Sequence, residues 1–212
     1  VRFTGYIAWR GLVPIERVPS AALEPPSQIF IGPGHLVNRY PVRRGKWLNV
    51  VAFAERSGWQ EEGWSIPADR DELLAEYAAW HPWVTDIIAA APIDKLFKWA
   101  LCARSPLMRW VQGRAALLGD AAHPILPYLG QGAVLALEDA VVLGRAFCGQ
   151  SDVELALARY EAARVGRARF VVERSALQAP KFQGPNPDEF RHDVPVDEAL
   201  GLFRYDPATV PV

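Results

Sequence analysis

Long hydrophobic runs are missing from this chain. No apolar stretch in its 212 residues approaches the roughly 20 needed to cross a bilayer, so no membrane partner is expected. No segment with basic, apolar and small-residue blocks marks a secretory leader. Cysteine is scarce: Cys102 and Cys148 form no CxxC pair, which argues against a zinc framework or a disulfide scaffold, and no metal is expected. Two isolated thiols fit a reducing, cytoplasmic setting. An excess of one charge is also lacking. The 23 basic and 24 acidic residues leave a net charge of −1, and no basic run offers itself to phosphate backbones, so no nucleic-acid partner is expected. Internal repeats and low-complexity tracts are absent. The chain opens on Val1 and enters strand-like sequence at once, which suggests a start inside a larger gene product.

What is present is core material. Half the residues are hydrophobic and 11% are aromatic, enough for one domain or two small ones. Gly5 to Val13 alternates, placing Ile7, Trp9 and Val13 on one face and Tyr6, Ala8, Arg10 and Leu12 on the other. Further strands are predicted at Gln28–Ile31, Leu36–Val42, Trp47–Ala54 and Leu96–Ala103, and Trp47–Ala54, apolar on both faces, predicts cover on both sides. Asp69 with Glu72 reads as a capping box opening a helix to about Ala79, and a short helix is expected after His81-Pro82. A helix is predicted from Gly132 to about Phe147. A longer one runs from Ser151, boxed by Glu154, to about Leu177, with Val153, Leu157, Tyr160, Ala163 and Phe170 inward. Six prolines at 180, 185, 187, 195, 207 and 211 predict an extended tail.

The chemically informative stretch is Gly113–Ala140, GRAALLGDAAHPILPYLGQGAVLALEDA. Its short apolar run predicts a buried strand that delivers Gly119-Asp120 to its C-terminal end, where ligands of α/β sheets gather. A small residue before a carboxylate lets a polyol hydroxyl come close and be held by a charge-assisted hydrogen bond. Pro124 and Pro127 stiffen the next loop. Gly130 and Gly132 bare the backbone, and the helix from Gly132 aims its positive end at whatever sits there. Along that helix Gly132, Ala136, Ala140 and Gly144 form a face of minimal side chains, fit for close packing on another element or for a flat ring.

The pattern GDAAHP…P..GQG…A.EDA resembles the second FAD-binding motif of the class A flavoprotein aromatic monooxygenases. GYIAWRGLVP, GPGHLVNRYPVRRGKWLNVVAF and LFRYDP resemble segments of their salicylate hydroxylase branch. The resemblance implies FAD as cofactor, NADH or NADPH as co-substrate, and hydroxylation of a small aromatic acid or phenol with O2. It puts Gly119 and Asp120 at the ribityl chain, and the amides of Gly130, Gln131, Gly132 and Ala133 at the pyrimidine edge of the flavin. Pro127 falls on the proline whose carbonyl lies beside the reacting part of the substrate pocket, and His123 on a motif histidine that braces the turn.

On the substrate side, His35 corresponds to a histidine that family members carry four residues before a tyrosine. Here the interval to Tyr40 is five, with Arg39 at the fourth place. His35 reads either as a base for a phenolic proton or as a plain strand residue. Arg39 reads either as a partner for a substrate carboxylate or as an exposed side chain, with Tyr40 beside it.

The resemblance implies an α+β fold, a fragment of an α/β flavoprotein. Residues 1–106 would form a substrate domain on a mixed or antiparallel sheet. Residues 107–177 would form the C-terminal part of a FAD-binding domain with a long helix, and 178–212 a Pro-rich tail. The family's GxGxxG turn for the ADP half of FAD occurs nowhere in the sequence. This predicts that the chain alone is inactive, and that its partners are a missing N-terminal half or a self-associated copy. A non-catalytic module that binds a ligand or partner is the alternative.

Overall fold

The computed structural model describes residues 1–59, 61, 63–188 and 196–212. Of these, 3–102 and 182–188 form one compact unit, and 1–2, 103–181 and 196–212 the other.

The first unit is built on a six-stranded sheet in the order β2-β3-β4-β1-β6-β5. Its strands are β1 (Arg2–Pro14), β2 (Gln28–Gly32), β3 (His35–Val42), β4 (Trp47–Glu55), β5 (Ile66–Pro67) and β6 (Leu96–Ala103). The alternation in β1 does what a period of two requires. Ile7, Trp9 and Val13 lie in the core, packed with Val37, Leu48 and Ala52 of neighbouring strands. In β4, Leu48, Asn49, Val50, Ala52, Phe53 and Ala54 are all buried, so both of its faces are covered.

Helices α1 (Arg70–Glu76) and α2 (Pro82–Ala89) close one face of this sheet, contributing Leu73, Val84, Ile87 and Ile88 to the core. Asp69 caps α1 by accepting the Asp71 amide at 2.8 Å. Glu72 takes no part in a box; it pairs with Lys98 at 3.0 Å instead. His81 caps α2 through Nδ1, which accepts the Trp83 amide at 3.2 Å. Tyr77, fully buried behind α1, donates its hydroxyl to the Phe53 carbonyl at 2.7 Å and so ties the helix end to the sheet.

The second unit contains the hairpin β7 (Val111–Gln112) and β8 (Ala115–Ala116), then α3 (Gly132–Ala146) and α4 (Val153–Ala176) packed on one another. The buried strand expected over 113–118 is corrected here. Only Ala115–Ala116 pairs, and it pairs with β7; residues 113–118 are exposed, with Leu117 and Leu118 at 37% and 42%. An apolar strand is buried only when neighbours flank it, and among the described residues the hairpin partner is its one strand neighbour.

The cap of α4 is Asp152 rather than Ser151, accepting from the amides of Glu154 and Leu155 at 3.0 and 3.2 Å. Its inward stripe is Leu157, Tyr160, Arg164, Ala168 and Val171, an apolar row with a cation in the middle. Where the prolines predict an extended tail, short helical pieces form: α5 (Ala179–Gln183), α6 (Val196–Ala199) and a 3-10 turn at Leu202–Arg204. Pro180 sits in the first turn of α5, where an amide has no partner to lose; Pro195 lies outside the described residues. The tail is anchored to the helices. Arg145 donates to the Pro207 and Val210 carbonyls at 2.9 and 2.8 Å, and Arg167 to the Leu202 carbonyl at 3.0 Å. No helix among the described residues is long and apolar enough to cross a membrane.

Candidate functional site

Gly119 and Asp120 open a 3-10 turn two residues beyond β8. Gly119 has φ +56°, a left-handed conformation that favours glycine, and a Cβ built there would touch Ala136 of α3 at 3.5 Å. The small-residue face of α3 therefore packs close under this turn. The turn is locked from below by one carboxylate. Asp139, fully buried on α3, accepts the Gly119 amide on Oδ2 at 3.0 Å and contacts His123 Nε2 with the same oxygen at 2.5 Å. Its Oδ1 takes the Arg164 Nε–H at 2.7 Å. Burial pushes the Asp139 carboxyl up, but the hydrogen bonds from His123, Arg164 and Gly119 outweigh it and hold the group below its ordinary value. On the outer side, Arg104 donates to the carbonyls of Ala121 and Ala122 at 2.7 and 2.8 Å. The Asp120 side chain is left exposed.

Arg164 is itself wholly buried. It bridges Asp139 and Glu138, the latter at 2.8 Å from Nη1, and lies over the Tyr205 ring at 5.2 Å. Burial works against its charge, yet the bonds to Asp139 and Tyr205 keep the guanidinium more firmly protonated than usual. Sequence reading missed Asp139, Arg164 and Tyr205 as a unit. The signal available was an Arg at an inward position of an otherwise apolar helix stripe, which demands a buried acid opposite.

A second turn stands at the start of α3. Pro127–Leu129 form a 3-10 turn that ends at Gly130 with φ +63° and open space where a side chain would be. The Pro127 carbonyl accepts the Gly130 amide at 3.0 Å, which leaves its second lone pair. Gln131 precedes the helix, buried, its Oε1 without a partner, and no side chain caps α3. The first amides of α3, at Gly132 and Ala133, have no acceptor within the helix and carry its positive end. A carboxylate for hydroxyls, uncapped amides for an electron-rich edge, and a bare glycine for close approach suit the ribityl and isoalloxazine parts of FAD. The donor set fits that group.

The sheet unit answers the substrate-side expectations through register. Cross-strand partners share a face, and the pairs Ile7–Ala54–His35 and Gly11–Val50–Arg39 put His35 and Arg39 on the face that α1 and α2 cover. Tyr40 pairs with Asn49, which pairs in turn with Leu12, and so points the other way. An interval of five in a strand reverses the face; an interval of four would have kept it.

Arg39 is fully buried and donates from Nη1 to the Pro25 and Pro26 carbonyls, both at 2.8 Å, and from Nη2 to Gln28 Oε1 at 3.0 Å. It braces a loop and is neither exposed nor offered to a carboxylate. His35 has Nδ1 at 2.8 Å from the Pro33 carbonyl and Nε2 at 2.7 Å from Glu76, with its ring edge-on to Tyr77. A base needs a free ring lone pair directed at its substrate, and in this arrangement both nitrogens face protein oxygens. The opposite face is partly covered, with Ala8, Asn49 and Phe53 buried, and carries Tyr40 and Arg10, both exposed.

Residues 33–175 match the protein family described as FAD binding domain. The chain is 39% identical over 187 residues to 3-amino-4-hydroxybenzoate 2-monooxygenase of Streptomyces platensis, covering 87% of this chain and 46% of the relative. It is 36% identical to 3-hydroxybenzoate 6-hydroxylase 1 of Aquipseudomonas alcaligenes, covering 78% and 41%. Among solved structures, Klebsiella pneumoniae HpxO complexed with FAD and uric acid superposes with a TM-score of 0.78 at 32% identity, covering 94% of this chain and 52% of that one. A salicylate hydroxylase substrate complex gives 0.78 at 28% identity, covering 97% and 55%. The chain spans about half the length of the relatives it matches.

Proposed function

Because the chain belongs to the FAD binding domain family, we propose that it forms the flavin-facing and substrate-binding parts of a FAD-dependent monooxygenase. That enzyme hydroxylates a small aromatic acid or phenol, using NADH or NADPH and O2. The observation that carries the reading is the pair of turns at Gly119-Asp120 and Gly130–Gly132, both set against α3.

When bound, FAD would supply the redox chemistry of the hydroxylation, with NAD(P)H as reductant and O2 as the source of the inserted oxygen atom. This chain's residues hold and polarise. Asp120 would accept a hydrogen bond from a ribityl hydroxyl, and Asp139 keeps its turn in place through the Gly119 amide. The amides of Gln131, Gly132 and Ala133 would donate to the pyrimidine edge, where the α3 N-terminus favours negative charge, whereas the Gly130 amide, first expected there, closes its turn on the Pro127 carbonyl. Pro127 turns its remaining carbonyl lone pair toward the reacting region. Tyr40, exposed on the sheet face away from α1 and α2, would contact the substrate. The pyrophosphate of FAD would need an amide cradle of the GxGxxG kind, a pattern that does not occur in these 212 residues.

The aromatic-acid class is supported by the names of relatives that act on 3-amino-4-hydroxybenzoate and 3-hydroxybenzoate. The test is made on the longest native polypeptide that carries this chain, loaded with FAD. Benzoate-type acids, phenols and urate are supplied in turn while NAD(P)H oxidation and product mass are followed. An aromatic acid or phenol that stimulates oxidation and gains one oxygen atom supports the reading. Stimulation by none of them, or stimulation without an oxygenated product, overturns it.

A further inference from the structure

On the face of the sheet away from α1 and α2, a cleft of about 490 Å³ lies along β1 and β6, lined by Arg10, Leu12, Trp64, Lys95, Phe97 and Trp99 among others. Its volume is that of a small-molecule site. Three of these residues are aromatic and two are cationic, and among the described residues none of those lining it is acidic. The two cations differ. Lys95 Nζ lies 3.3 Å from Asp94, a neighbour that offsets its charge. Arg10 has its Nε–H donated to Asn49 Oδ1 at 3.1 Å, and Asn49 is a neutral amide, so the guanidinium keeps its full charge. Anchored at Nε on a β-strand, the guanidinium has its orientation fixed and its Nη groups left to receive a ligand.

We propose that this cleft binds a planar aromatic carboxylate, its ring between the aromatic walls and its carboxylate on the Nη groups of Arg10. Arg10 thereby sets specificity for an anionic substituent, a task the sequence pattern had offered to Arg39. The identification of this ligand as the substrate rests on the hydroxylase reading; its binding does not. A bidentate guanidinium–carboxylate pair is a charge-assisted contact that a neutral amide cannot reproduce.

The experiment titrates the 212-residue chain with benzoate and with benzamide, following tryptophan emission, since Trp64 and Trp99 stand in the cleft walls. Benzoate is expected to bind at least tenfold more tightly than benzamide. Arg10→Gln is expected to weaken benzoate about 10- to 100-fold and to leave benzamide within about threefold. Arg10→Lys, which keeps the charge but loses the fork, should fall between. Lys95→Gln should change either ligand by no more than about threefold. The proposal is overturned if benzamide binds as well as benzoate, if Arg10→Gln binds benzoate like the parent chain, or if benzoate leaves the emission of the folded chain unchanged. Should Arg10→Gln fail to fold, the benzoate-to-benzamide ratio and Arg10→Lys decide the matter. Arg10-dependent binding of benzoate, with no oxygenated product from any aromatic acid in the FAD-loaded protein, would remove the hydroxylase reading and leave this one standing.

Discussion

Asp139 and Gly119 are 20 positions apart, yet a single 3.0 Å hydrogen bond from the Gly119 amide to Asp139 Oδ2 fixes the turn that displays Asp120. The carboxylate doing this is fully buried and also holds His123 and Arg164. The Gly119-Asp120 turn is thus positioned by a charge network in the interior of the helix pair, with the Asp120 carboxylate exposed at its tip.

Asp139→Ala should lower stability by about 3 kcal/mol, near the low end for breaking a buried ion pair, because Glu138 still faces Arg164. Urea unfolding followed by far-UV circular dichroism gives the number. A loss below about 1 kcal/mol would mean that the network does not hold the turn.

The same group predicts an acid limb. Its folded-state value lies below the ordinary 3.8, so the carboxylate contributes stability that is fully present above about pH 4. That contribution is lost as pH falls from there through the folded value. Unfolding free energies measured between pH 6 and pH 2.5 should fall less steeply in Asp139→Asn than in the parent chain; parallel slopes would contradict the assignment.

Asp120→Ala should leave the melting temperature within about 2 °C, since the side chain is exposed. In the FAD-loaded protein it should weaken FAD by the worth of one charged hydrogen bond, about 1.5–3 kcal/mol. Equilibrium dialysis measures this. Unchanged affinity would show that Asp120 does not reach the ribityl chain.

Gly119→Ala separates conformation from crowding. The added methyl meets Ala136 at ordinary contact distance, so the cost is that of a left-handed backbone, about 1–2 kcal/mol. Thermal unfolding of the chain should show it, and a cost near zero would mean that the turn relaxes elsewhere.

Arg39→Met should destabilise the sheet unit by about 1–3 kcal/mol, because the Pro25 and Pro26 carbonyls lose their donor. Benzoate affinity of the folded variant should stay within about threefold of the parent. A selective loss of benzoate binding with unchanged stability would return Arg39 to the substrate side.

The residue order alone determined what depends on neighbours along the chain. Alternation in β1 and the doubly apolar β4 follow from the period of a strand, and they appear in the structure as a buried Ile7, Trp9 and Val13 and a strand covered on both sides. The start of α3 at Gly132 is equally local, because a left-handed Gly130 ends one turn and bared amides begin the next. Tertiary structure decided the rest. Which face His35 and Arg39 occupy depends on the pairing of β3 with β4, and a five-residue interval reverses a face that a four-residue interval keeps. Whether 113–118 is covered depends on neighbours that local sequence does not name. The burial of Arg164 turns on finding Asp139 and Glu138 on another helix, since a charge leaves water only where a partner on a separate element is already waiting.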